Sequence, residues 1–168
     1  AVVLEGRAAQ EAGAELPPRS WLDFFSLLVQ TDQLEQAYEV GLMAYDRFPD
    51  EPIFINNHAY LSLLRGQRID ESLKEMKDLS EKFPDVDEFT VTLALAQYRA
   101  GNTRQALDLM ENMQIDLSPA GAVTQAVYSA ILAANGKTAR AQSILEVIDW
   151  TRLNRLEQEL IAFLRNSN

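Results

Sequence analysis

The chain has 168 residues, 47% of them hydrophobic, with seven Gly, six Pro and no Cys. That is one ordinary domain or a short repeat array, apolar enough to fold without metal or crosslink, and the lack of Cys excludes a disulfide scaffold, a thiolate metal site and a thiol nucleophile. The formal net charge is −10, and no basic stripe exists to neutralise phosphates, which argues against nucleic acid and anionic membrane as partners.

In chain order, Val2, Val3, Ala8, Ala9 and Ala12 come first, before Pro17 and Pro18. Their spacing predicts an N-terminal helix within residues 1–17, either the remnant of an earlier repeat or a docking element. The start lacks the basic and apolar regions of a signal peptide. No apolar run approaches the length of a membrane span, so membrane insertion is not expected. The start also lacks an initiator Met, so the chain reads as a piece of a longer protein, and any targeting segment would lie outside it. The compartment stays open, with the cytoplasm favoured.

Next comes "WLDFFSLLVQ", a bulky apolar stretch from Trp21. It reads as core, with self-association through this N-terminal apolar surface as the other reading. From here small residues recur: Ala37, Ser72, Ala106 and Ala141, at intervals of 35, 34 and 35. Each opens an apolar or small series at i, i+4 and i+7, one face of a helix. Those series are Ala37, Gly41, Ala44; Ser72, Met76, Leu79; Ala106, Met110, Met113; and Ala141, Leu145, Ile148. Bulkier helices precede them, and the breaks between partners are "QTDQ", "RGQR", "AGNT" and "NGKT". Gly there is expected to end one helix and Thr to cap the next. "RFPDEP" at 47–52 is echoed by "KFPDVD" at 82–87. Both read as stop signals, because Pro disfavours helix at the residue before it. The turn "RGQRIDES" holds one extra residue. Last, "NRLEQELIAFLRN" pairs Asn154 with Glu157 at capping-box spacing. Leu156, Leu160, Ile161 and Leu164 form its apolar stripe, opposite Arg155, Glu159 and Arg165.

This pattern resembles the tetratricopeptide repeat, with a 34-residue period and the signature W-x2-L-G-x2-Y, A-x3-F, P. Trp21, Phe24, Leu28, Ala37 and Pro49 carry it in the first unit; Ala59, Ser72 and Pro84 in the second; Ala94, Ala106 and Pro119 in the third; Tyr128, Ser129 and Ala141 in the fourth. Gly41 departs from it, standing where the family has a large aromatic. Trp21 or another bulky neighbour is expected to fill that notch. The resemblance implies an all-α fold, a right-handed superhelical array of antiparallel helix pairs. Four repeats would span 18–51, 52–86, 87–121 and 122–153, closed by a C-terminal capping helix over 154–168.

The resemblance also implies a concave groove for a partner's peptide or helix. Carried over by position, the groove would hold Asn56, Asn57, Tyr60, Leu64, Arg65, Val91, Leu95, Tyr98 and Arg99. Asn amides both donate and accept, Tyr anchors hot spots, and Arg meets carboxylates. The alternative is that these side chains bond within the array. Leu22 and Ser26 stand at two positions of the family's chaperone-tail clamp, which argues against that specialised role.

Catalytic patterns are missing from the sequence. The single His, His58, falls among Ala59, Leu61 and Leu63, as a packing residue would. No H-E-x-x-H, Walker A, G-x-G-x-x-G or G-x-S-x-G is present. Acid pairs Asp70–Glu71 and Asp87–Glu88 sit at helix starts, where they complement the dipole. The reading is therefore a protein that is not an enzyme, without cofactor or metal, serving as an interaction scaffold for a protein or peptide. Two alternatives are an accessory or regulatory domain of a larger enzyme and a structural oligomerisation module.

Overall fold

A computed structural model describes residues 16–113, 115, 116, 118 and 121–165. Among them are nine α-helices, one short 3-10 helix and no strand. The α-helices are α1 (Pro18–Gln30), α2 (Leu34–Arg47), α3 (Pro52–Leu64), α4 (Ile69–Lys82), α5 (Asp87–Arg99), α6 (Thr103–Glu111), α7 (Ala122–Ala134), α8 (Thr138–Leu145) and α9 (Arg155–Arg165). Apart from Leu16 and Pro17, the expected N-terminal helix lies outside the described residues. Two compact units, residues 1–58 and 59–168, divide inside α3.

The turns after α1, α3, α5 and α7 have one geometry. Asp32, Gly66, Gly101 and Gly136 take positive φ, at 56°, 69°, 82° and 74°. The amides one residue later, on Gln33, Gln67, Asn102 and Lys137, donate back to the carbonyls of Leu28, Ser62, Gln97 and Leu132 at 2.8–2.9 Å. Those are Schellman closures, in which a left-handed residue lets two amides satisfy carbonyls of the last turn. Thr was expected as the following N-cap. Instead Asn102 and Lys137 occupy that place, and Thr103 and Thr138 are the first helical residues. One residue is needed between the left-handed Gly and the helix, and it displaces Thr by a position. The extra residue of "RGQR" is Arg68, a second left-handed residue with φ 47°. Ala37, Ser72, Ala106 and Ala141 each donate the first amide bond of their helix, to the carbonyl four residues back. All four are wholly buried.

The two Phe-Pro-Asp echoes also share a backbone. Phe48 and Phe83, each before Pro, leave the helix at φ −127°, ψ 62° and φ −133°, ψ 65°. Their amides still bond to Ala44 and Leu79, and their carbonyls accept from Glu51 and Val86. Each Phe then meets another Phe six residues on: Phe48 stacks with Phe54 at 5.2 Å, and Phe83 meets Phe89 edge-on at 6.0 Å.

In the first unit α1 packs on α2. The Gly41 notch is filled by Phe25, whose Cε2 lies 3.2 Å from where a Cβ would stand. Trp21 turns elsewhere, to the edge of Phe48. His58 is buried with its ring 5.2 Å from Tyr38 and 5.1 Å from Tyr45. An aromatic cage suits a ring that packs.

In the second unit α5 packs against α4, α6 and α7, while α7 packs against α5, α6, α8 and α9. Both helices are therefore enclosed. Every residue from 91 to 97 in α5 and from 125 to 132 in α7 is buried, as expected of helices covered on several sides. Asp70, Glu71, Asp87 and Glu88 stand in first turns, as their sign suits. α6 stops at Glu111 and α8 at Leu145, so Met113 and Ile148 lie beyond their helices.

The last helix follows its capping box. The Glu157 amide donates to Asn154 Oδ1 at 3.1 Å, and the Asn154 amide to Glu157 Oε2 at 2.9 Å. Leu160, Ile161 and Leu164 are buried, while Arg155, Glu159 and Arg165 are exposed. No described helix is long and apolar enough to cross a membrane.

Candidate interaction surfaces

Asn56 and Asn57 fall in the first unit. Asn56 is buried and Asn57 half-buried. The other seven groove candidates fall in the second, four of them on the enclosed α5. Val91 (6% exposed) and Leu95 (0%) sit inside the core, as does Leu64 at 5%. These three side chains serve packing; for Val91 and Leu95 the face of α5 expected to meet solvent is covered by neighbouring helices. Tyr60, Arg65, Tyr98 and Arg99 are half-buried.

Arg99 and Tyr60 make long-range bonds within the unit. Arg99 Nη2 donates to the Leu64 carbonyl at 3.1 Å, satisfying an acceptor at the end of α3. Its guanidinium carbon stands 5.9 Å from the Tyr98 ring centre. The Tyr60 hydroxyl donates to Glu157 Oε1 at 3.0 Å. Burial, then the charge of Glu157 and this bond, holds the Tyr60 hydroxyl well above its ordinary pKa. Glu157 is 4% exposed. Its carboxylate thus caps α9 and anchors it to α3 at once. The sequence marked the cap, but nothing local marks a partner 97 positions away.

A second surface was absent from the sequence reading. Met110, Glu111, Met113, Ile115, Tyr128, Arg140, Ser143, Ile144 and Val147 line a cleft of about 460 Å³ between α6, α7 and α8. Met110, Tyr128 and Ile144 are its buried floor, and Val147, 55% exposed, is one lip. At its mouth Glu111 accepts from Lys137 Nζ at 2.6 Å and Arg140 Nη1 at 3.3 Å. The bond to Lys137, then the charges of Lys137, Arg140 and Arg104, outweigh partial burial and lower the Glu111 pKa. Arg140 lies 5.3 Å over the Tyr128 ring, and burial raises the Tyr128 pKa. The available signal was the Lys137–Arg140 spacing at the start of α8.

The loop before α7 is fastened beside this cleft. Asp116 accepts from the Ser118 amide and hydroxyl, which lowers its pKa. The buried Gln125 amide donates to the carbonyls of Asp116 and Ser118 at 2.9 and 2.7 Å.

No group of three or more His, Cys, Asp or Glu that could hold a metal ion occurs among the described residues. No protein-family model matches this chain, and no curated protein or solved structure matches it either.

Proposed function

We propose that the chain is a non-catalytic interaction scaffold that binds a peptide or helix of a partner protein. In this reading its helix pairs belong to a tetratricopeptide-like solenoid. The Schellman turns recurring every 34–35 residues, at Asp32, Gly66, Gly101 and Gly136, support the repeat. The observation that carries the functional reading is the pairing of Tyr98 with Arg99. Both are half-buried, and Arg99 is held by the Leu64 carbonyl beneath the Tyr98 ring. A partly exposed aromatic beside a fixed guanidinium is the chemistry of interface hot spots. A surface ordered before binding loses little entropy on binding.

The test is affinity capture from the native cell with wild type and Tyr98→Ala, followed by titration of the purified captured protein. The melting curves of the two forms are matched first. A purified partner that binds wild type and loses at least about ten-fold for the variant supports the reading. Equal affinities overturn the role of this face.

A further inference from the structure

The cleft between α6, α7 and α8 goes beyond that reading, because it lies on other residues and has its own chemistry. Its lining is mainly apolar: Met113, Ile115, Ile144 and Val147 stand around the buried Met110 and Tyr128. Its lip, Val147, is the most exposed of the large hydrophobic residues among the described ones. A volume of about 460 Å³ lies in the range of sites that enclose a small ligand or a bulky side chain.

The charge at the mouth selects the occupant. The chain as a whole carries −10, yet here two cations, Lys137 and Arg140, share the single carboxylate of Glu111. Lys137 takes it at 2.6 Å, and Arg140 reaches it at 3.3 Å through Nη1. Among the described residues Glu111 is the one carboxylate within ion-pair reach of Arg140. A guanidinium has five N–H donors in a planar fork. One bond to Glu111 leaves the fork under-used, and its carbon stands 5.3 Å over the Tyr128 ring. The group is therefore oriented and partly desolvated, with donor capacity toward the cleft mouth.

We infer that this cleft binds an extended peptide segment of a partner protein, with a bulky apolar side chain against Ile144 and Val147 and an adjacent carboxylate on Arg140. One carboxylate suits the site better than an acidic run, because the rest of the chain repels additional negative charge.

The probe is the peptide acetyl-Gly-Leu-Phe-Glu-Gly-amide, titrated into the full 15N-labelled chain, with the peptide carrying Gln in place of Glu as its neutral match. The expected result is shifted amides at Met110, Glu111, Arg140, Ser143 and Val147, with the Gln peptide binding about ten-fold more weakly. Arg140 is 57% exposed at its side chain, so Arg140→Gln leaves the core intact. It should bring both peptides to one weak affinity, while Tyr98→Ala should leave the Glu peptide's binding unchanged. The inference is overturned if millimolar peptide leaves these amides unmoved, if wild type binds both peptides equally, or if the shifts centre on Tyr98 and Arg99. The last outcome would assign the peptide to the face proposed above and leave the cleft without it.

Discussion

Tyr60 shows how a single hydroxyl can carry a long-range constraint. It donates to a carboxylate that is itself buried and shared with a helix cap. A hydrogen bond to a charged acceptor is worth about 1.5–3 kcal/mol. Tyr60→Phe is therefore expected to lower unfolding stability by about 2 kcal/mol in urea titration, and pairing it with Glu157→Gln should give a double change smaller than the sum of the single ones. Strict additivity would show that the pair is uncoupled. At Gly101 the constraint is in the backbone alone. Its φ is +82° and no atom lies within 4 Å of an added Cβ. Gly101→Ala should cost about 1–2 kcal/mol through conformational strain; unchanged stability would mean that the turn relaxes. Gly41 is the opposite case, limited by the Phe25 ring at 3.2 Å. Gly41→Phe has no space without displacing that ring. It should destabilise by about 1–3 kcal/mol as an overpacked core does, and a more stable variant would refute the notch.

At the scale of the element, the helix ends were the most legible part of the chain. A short-range motif needs only its own residues: Asn154 and Glu157 for the box, Gly before the turn, Pro after the stop. Asn154→Ala should cost about 1 kcal/mol, seen as a lower melting temperature and faster amide exchange in the first turn of α9. Exchange unchanged there would show that packing on α7 and α8, rather than the cap, holds the helix start. The errors were also local. Thr103 and Thr138 fell one position from the caps, because backbone closure after a left-handed Gly needs one more residue than the composition suggests. Met113 and Ile148 extended the helical spacing past the point where the helices end, since periodicity does not register where a C-cap forms.

For the whole molecule, titration links these groups to stability. The Tyr60 pKa is raised in the folded state, mainly by burial. Its contribution is then complete below the unfolded value of about 10 and is lost as pH rises from there toward the folded value. Tyr128 shifts in the same direction, with burial as the largest cause and Arg140 opposing it. Melting temperature should fall above about pH 10, and less steeply in Tyr60→Phe; an identical alkaline slope would remove Tyr60 from the account. On the acid side Glu111, Asp116 and Asp149 have lowered pKa values, through Lys137, Ser118 and Thr151 respectively. Their contribution is present above about pH 4 and lost as pH falls through the folded values. By itself the sequence determined the helices, their breaks, the small residues buried near each start and the closing cap, because each depends on neighbours within a turn or two. Tertiary structure decided which faces meet solvent. Val91 and Leu95 looked like groove positions because α5 was read as a helix with one open side, and the packing of α4, α6 and α7 around it closed that side. The same packing brought Tyr60 to Glu157 and set Met110, Arg140 and Val147 around one cleft. Such contacts join residues far apart in the chain, and spacing carries no record of them.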